Sequence, residues 1–306
     1  MKTALCFAGQ GAQYETMGRS LYYASTAAKK VLDAFESTCP GLLLVMFEGS
    51  KEELSRTENT QPCVFAHGAA AFAAAEEAGL SADMMAGFSL GEYTALACAG
   101  AFSPEEGLEI VIRRAAMMQA AIPAEGGAMA AILKLSDTQV IQLCEGIEGV
   151  WPVNFNCPQQ VVVAGYKPAV EAAQKKAVEM GGRAIPLAVS GPFHTPLMED
   201  AAKSLEKDFQ RRTFNAPKIP VYANATAQPY GEDIKELLIR QVESPVLWEK
   251  TIRRMAEDGA ELFIELGPGK VLTGFVRRIL PEATIFNIDD EASLQNLCQA
   301  LGLKAK

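Results

Sequence analysis

Met84-Met85-Ala86-Gly87-Phe88-Ser89-Leu90-Gly91-Glu92-Tyr93-Thr94-Ala95-Leu96-Ala97-Cys98-Ala99-Gly100 is the stretch on which the fold of this chain turns. Met84 to Phe88 is an apolar run with the look of a buried strand. Leu90 to Ala99 reads as a helix, and Gly100 stops it. Between them Gly87-Phe88-Ser89-Leu90-Gly91 matches G-x-S-x-G. A strand that turns at once into a helix puts the serine hydroxyl on a tight elbow, with glycines where the turn leaves no room for a Cβ. The first helical N–H groups and the positive end of the helix dipole then face any negative charge that develops beside the serine. An ordinary Gly/Ser helix cap is the plainer alternative; the strand–elbow–helix setting favours a nucleophile.

Outward from the elbow, strand-like and helical runs alternate. Thr3 to Ala8 is a short apolar run ending in Gly9-Gln10-Gly11, Gln61 to Gly79 is an Ala-rich helix, and Ser103-Pro104-Glu105-Glu106 reads as a capping box opening a helix to about Ile122. Strands separated by helices imply a parallel sheet covered on both faces. The middle differs. After the linker Pro123 to Gly127 come Ala128–Leu133 (strand), Ser136–Cys144 (helix), Val150–Asn154 (strand), Gln160–Ala164 (strand), Pro168–Met180 (helix) and Arg183–Val189 (strand). That β-α-β-β-α-β order is the ferredoxin-like pattern. The first pattern then resumes, with a strand near Ile219–Tyr222, helices near Ile234 and Pro245, a strand at Glu261–Ile264, and Gly267-Pro268-Gly269 before another helix. The fold class is α/β, a small domain inserted in a larger one.

Composition narrows the function. The chain has 306 residues, 49% of them hydrophobic, which excludes a disordered segment, and a net charge of −9 argues against nucleic acid as a partner. No apolar stretch approaches the ~20 residues of a membrane span, and the N-terminal apolar run is too short for a secretory signal. Seven cysteines without a C-x-x-C pair argue against a disulfide framework or a zinc site. A cytoplasmic enzyme without bound metal, acting as a monomer away from membranes, is the expectation.

A serine needs a base, and the chain has two histidines. His67 lies inside the Ala-rich helix and reads as structural. His194 sits in Ser190-Gly191-Pro192-Phe193-His194-Thr195-Pro196, a stiff loop in which Thr195-Pro196 reads as N-cap plus first helical residue. None of the residues after His194 is a histidine, so the Ser…Asp/Glu…His order of an ordinary esterase is disfavoured. On the helix from Pro104, Arg113 has Glu109 four residues before it, an i,i+4 partner on a charged face. Arg114 falls among Ile110, Met117 and Met118 with no acid on its own face. A buried guanidinium requires an anionic group. A structural glutamate from elsewhere and a substrate carboxylate gripped by the bidentate fork both satisfy that need, and sequence does not choose between them.

Phe7-Ala8-Gly9-Gln10-Gly11-Ala12-Gln13, Thr60-Gln61-Pro62, Gly87 to Tyr93, Gly127 to Ile132, Asn154-Phe155-Asn156-Cys157-Pro158, Phe193-His194 and Glu265 to Gly269 occur together in one order. In these motifs the chain resembles the malonyl-CoA:acyl-carrier-protein transacylases along nearly its whole length. The resemblance implies a hydrolase-like parallel-sheet domain over residues 1–124 and 192–306, with a ferredoxin-like subdomain over 125–191. It implies a malonyl group moved from coenzyme A to the phosphopantetheine thiol of an acyl carrier protein, through a malonyl-serine ester, in fatty acid synthesis or, alternatively, polyketide synthesis. No cofactor is bound: the CoA thioester is substrate and the phosphopantetheine belongs to the partner.

By the same resemblance Ser89 is the nucleophile, His194 the base and Arg114 the clamp for the malonyl carboxylate. The backbone N–H groups of Gln10 and Leu90 form the oxyanion hole, the main-chain carbonyl of Gln241 orients His194, and Phe193 is similar to the malonyl-selecting members. One departure is Phe88, where the family usually has histidine; it bears on the packing or polarity of the elbow. Two other classes compete. One is a serine hydrolase, a thioesterase or a patatin-like lipase; a patatin-like enzyme would use Asp258-Gly259-Ala260, but Gly9-Gln10-Gly11 does not supply the glycine-rich oxyanion loop it needs. A non-catalytic binding module would not require the intact Ser89, His194 and Arg114 set. A dinucleotide site at Gly9-Gln10-Gly11 fails because residue 14 is tyrosine.

Overall fold

The computed structural model describes residues 1–189 and 191–304; Ser190, in the loop quoted for His194, and Ala305 and Lys306 lie outside the described residues. Strands β1 (Lys2–Phe7), β2 (Met84–Gly87), β7 (Val221–Tyr222), β8 (Ala260–Leu266) and β9 (Thr284–Ile288) form a parallel sheet in the order β7-β2-β1-β8-β9. Successive side chains of the central strand enter different cores. Leu5 and Phe7 join one apolar cluster, Ala4 and Cys6 another, and Ile264 and Phe263 of β8 divide the same way. Burial on both faces explains why β1 reads as a continuous apolar run rather than an alternating one.

Strands β3 (Gly127–Leu133), β4 (Val150–Cys157), β5 (Gln160–Tyr166) and β6 (Arg183–Pro186) make a second, antiparallel sheet in the order β4-β5-β3-β6. The helices Asp137–Glu145 and Lys167–Glu179 bury Val140, Leu143, Val170 and Ala173 against Ala130, Ile132, Val161 and Val163 on one face of this sheet. Met129, Ala131, Val162 and Ala164 point the other way, into the core that the larger sheet shares. The alternation of β3 and β5 therefore places the second sheet over the first and closes a cleft above the elbow. Arg278 clasps this seam, with Nη1 2.7 Å from Gln160 Oε1 and Nη2 on the Pro158 carbonyl.

Some elements differ from the sequence reading. The Ala-rich helix runs Thr57–Glu77 with Pro62 inside it, whereas proline tolerance in the first turn favours a start at Gln61. Ser103 Oγ accepts the Glu106 N–H at 3.1 Å and Pro104 opens the helix. Only that half of the capping box is formed, because Glu106 faces Arg212 at 3.6 Å instead. The structure adds helices at Arg19–Ala24, Thr26–Thr38, Leu42–Glu48, Lys51–Leu54 and Glu291–Leu301, and strand β9, none of which the sequence pattern marks out. Among the described residues no helix is long and apolar enough to cross a membrane.

Candidate active site

Close backbone approach makes the elbow. A Cβ on Gly87 would lie 1.9 Å from the carbonyl carbon and oxygen of Gly91, and one on Gly91 would lie 2.2 Å from the Phe7 carbonyl oxygen. Both positions therefore exclude every other residue. Gly91→Ala should cost about 3 kcal/mol or more of stability, read as a large drop in melting temperature or a failure to accumulate folded protein. Ser89 itself holds φ 51° and ψ −101°, a conformation that side chains rarely adopt. Two side chains hold it there: Asn224 Oδ1 accepts the Ser89 N–H at 2.7 Å, and Gln241 Nε2 donates to the Ser89 carbonyl at 2.7 Å.

His194 reaches the elbow from the loop before the 3-10 turn Pro196–Met198, which Thr195 caps by accepting the Leu197 N–H at 3.3 Å. Its own backbone is also at positive φ, 65°. The ring spans two partners, with Nε2 2.8 Å from Ser89 Oγ and Nδ1 2.8 Å from the Gln241 main-chain carbonyl. A carbonyl only accepts, so Nδ1 carries the proton and Nε2 offers its lone pair to the serine hydroxyl. Burial, and next the positive charge of Arg114, push the His194 pKa down to about 4. At pH 6 an ordinary imidazole would be about three-quarters protonated; His194 should remain neutral. NMR of the ring protons, with only two histidines to assign, should show its titration midpoint well below 6. The unfolded chain takes up the proton that the folded one refuses, so the stability His194 contributes is present above about pH 6.5 and is lost as pH falls toward 4.

Arg114 is 1% exposed and points at the elbow. Nη1 donates to Gln61 Oε1 at 2.7 Å, and Nη2 donates to Ser89 Oγ at 3.2 Å and Gln241 Oε1 at 3.1 Å. The guanidinium carbon lies 5.0 Å from the Tyr93 ring centroid, and Nε has no partner. Every acceptor it has is neutral; among the described residues no carboxylate forms an ion pair with it. Of the two options left open by the sequence, the structural glutamate is absent from the guanidinium's contacts. Arg113 corrects another expectation: it is exposed and pairs with Asp208 at 3.2 Å, whereas Glu109 faces Arg212 at 3.8 Å.

Ser89, His194, Arg114, Phe193 and Gln10 line one cavity of about 80 Å³. The Phe193 ring is buried tightly against Gly191, where a Cβ would come within 2.4 Å of it. Leu90 is fully buried, and its N–H, at the first helical position, has no intrahelical acceptor. Gln10 and Phe88 also line a neighbouring groove of about 250 Å³, together with Asn154, Asn156, Leu272 and Phe275. Phe88 packs there with ring centroids 5.5 Å from Trp248 and 6.2 Å from Phe275, so an apolar wall stands where histidine is usual. The side-chain oxygens of Asn154 and Asn156 are buried without partners, which marks the groove as a place for hydrogen-bond donors.

Sequence reading passes over Gln61, Glu92, Asn224, Tyr230 and the side chain of Gln241. A lone charged residue in a mostly apolar helix, as Glu92 is among Leu90 to Ala99, is the available signal. Two other sequence candidates lie elsewhere. His67 is fully buried with Nε2 2.8 Å from the Asp289 carbonyl, and Asp258 binds Tyr222 and Arg254 at 2.6 and 3.0 Å. The Ser89 hydroxyl thus meets His194, and among the described residues no aspartate hydrogen-bonds to it.

The acyl transferase domain family matches residues 5–297. Curated relatives include malonyl CoA-acyl carrier protein transacylases of Bacillus subtilis, 40% identical over 98% of this chain and 97% of the relative, and of Escherichia coli K12, 39% identical over 95% and 97%. A malonyl CoA-acyl carrier protein transacylase from Clostridium perfringens has a similar crystal structure, with TM-score 0.95, 36% identity and coverage of 99% and 98%. The structure of a type II polyketide synthase acyl-carrier protein in complex with its malonyl-transacylase is also similar, at TM-score 0.95 and 35% identity over 98% and 100%.

Proposed function

We propose, on the premise that the chain belongs to the acyl transferase domain family and within it to the malonyl CoA-acyl carrier protein transacylases, that it moves a malonyl group from coenzyme A to the phosphopantetheine thiol of an acyl carrier protein. One observation carries this reading: Ser89 Oγ is met at once by a neutral imidazole nitrogen at 2.8 Å and by a guanidinium that no acid neutralises at 3.2 Å. A hydrolase of neutral esters would gain nothing from an unpaired cation beside its nucleophile. A half-ester of a dicarboxylic acid needs one.

In this scheme the malonyl carboxylate displaces the serine hydroxyl from Arg114 and takes the fork. Ser89 Oγ attacks the thioester carbonyl as its proton passes to His194 Nε2, and the Gln10 and Leu90 N–H groups receive the oxyanion. The carbon–sulfur bond breaks, His194 returns the proton to the departing CoA thiol, and malonyl-Ser89 remains. The carrier's phosphopantetheine thiol then gives its proton to His194, attacks the ester and leaves with the malonyl group, restoring the serine. No aspartate is required, because the Gln241 carbonyl fixes the imidazole. The Asn154 and Asn156 oxygens are suited to the amide N–H groups of the arm, which both substrates share. Phe193, locked against Gly191, would exclude a branch on the malonyl α-carbon. The division into residues 1–124 with 192–306 and the subdomain 125–191 has support from the two sheets, whose strands fall entirely within one segment set or the other.

Intact-protein mass spectrometry tests the reading. Mixing with malonyl-CoA should add one malonyl mass, and carrier protein bearing its phosphopantetheine arm should discharge it. A chain that releases malonate to water at the same rate with and without the carrier is a hydrolase, and the reading falls.

A further inference from the structure

Glu92 lies within the first turn after Ser89, fully buried, and the reaction scheme gives it nothing to do. Its carboxylate nevertheless serves three segments. Oε1 accepts the Asn224 main-chain N–H at 3.2 Å and the Tyr230 hydroxyl, and Oε2 accepts Gln241 Nε2 at 2.6 Å. Two of these partners hold the reacting groups. Asn224 brackets the elbow, taking the Ser89 N–H and donating from Nδ2 to the Gly87 carbonyl at 2.7 Å. Gln241 donates from that same Nε2 to the Ser89 carbonyl, accepts Arg114 Nη2 on Oε1 and holds His194 Nδ1 on its main-chain carbonyl.

The Gln241 amide thus stands between a buried carboxylate and a buried guanidinium. Placed in direct contact at low dielectric, those two would attract strongly and occupy the fork. An amide has one donating and one accepting end, so a carboxylate on one side dictates which end faces the other. Glu92, with the Ser89 carbonyl on the same side, turns the NH2 toward itself and the oxygen toward Arg114. We propose that Glu92 is a specificity-determining positioning residue: through the Gln241 amide it fixes Arg114 toward Ser89 while leaving that cation free for a substrate carboxylate. The inference rests on the reading of Arg114 as the malonyl clamp.

E92Q removes the charged share of that dictation and leaves the Gln241 amide held by the Ser89 carbonyl and Arg114 alone. The amide it introduces can present its own NH2, and Gln241 turned end for end would set NH2 against the guanidinium and oxygen against the Ser89 carbonyl. The test compares kcat/KM for malonyl and acetyl transfer in the unsubstituted protein, E92Q and E92D. Malonyl transfer should fall at least about tenfold more than acetyl transfer in E92Q, chiefly through the malonyl KM, because a hydrogen bond to a charged group is what is lost. E92D keeps the charge but withdraws from Gln241, and it should shift the ratio in the same direction by less. If E92Q gives no folded protein by circular dichroism, E92D decides on the same ratio. Equal losses for the two acyl groups, or no loss, would overturn the inference and leave Glu92 as support for the elbow. A wild type indifferent to malonyl and acetyl would overturn the clamp reading first, and this inference with it.

Discussion

Ser89→Ala should lower the rate of malonyl transfer by about 10⁴-fold or more while leaving a folded protein that still binds malonyl-CoA. The size follows from the geometry. His194 Nε2 addresses the one oxygen that the substitution deletes, so the base has nothing left to act through. Nucleophile and base work as a unit, and removing His194 after Ser89 should therefore cost almost nothing further. The residual rate would reflect binding and the oxyanion-hole N–H groups alone. Transfer followed by mass spectrometry of the carrier reads the rate, and an isothermal titration reads the retained affinity. A variant that still accumulates malonyl-enzyme would show that the acyl group is carried elsewhere.

Arg114→Ala should cost about 2–5 kcal/mol in kcat/KM for malonyl-CoA, roughly 30- to 5,000-fold, and far less for acetyl-CoA. Two terms produce the asymmetry. The malonyl carboxylate, carried into a cavity lined by Phe193, Met118 and Met129, would lose its hydration and find no cation. The acetyl methyl needs none. Stability should change little by comparison, because a buried cation with only neutral acceptors is itself expensive to bury, and the change leaves behind neutral amides of Gln61 and Gln241. Parallel losses for the two acyl groups would remove Arg114 from the clamp role.

The larger architecture is readable in the sequence because each strand announces its surroundings. Ala4–Phe7 of β1 and Leu262–Ile264 of β8 are continuous apolar runs because both faces are covered, and Ala128–Leu133 and Val161–Ala164 are apolar runs for the same reason, their two faces meeting different cores. Short elements are harder. β7 has two residues, and Pro220, which cannot donate to a ladder, precedes it. At the site, Ser89 and His194 are visible from their flanking glycines and prolines, and Arg114 from its lack of an acid on its own helix. The polar network behind them is not, since Glu92, Asn224, Tyr230 and Gln241 converge from segments as much as 149 residues apart. No local period records a contact of that kind. Arg113 shows the converse error: an i,i+4 glutamate is available, and the tertiary partner Asp208 prevails.

The two residues whose side chains meet at the elbow both have positive-φ backbone, Ser89 at φ 51° and His194 at φ 65°. Replacing Ser89 with glycine and with alanine deletes the same hydroxyl, so the difference between the two proteins isolates the torsional penalty. Ser89→Gly should melt about 1–4 °C above Ser89→Ala, the relief of ~1–3 kcal/mol being offset in part by the greater freedom of unfolded glycine. Selection for thermal endurance alone would therefore erode this turn. That a costly torsion persists at the proposed nucleophile marks it as retained for turnover, at the expense of robustness.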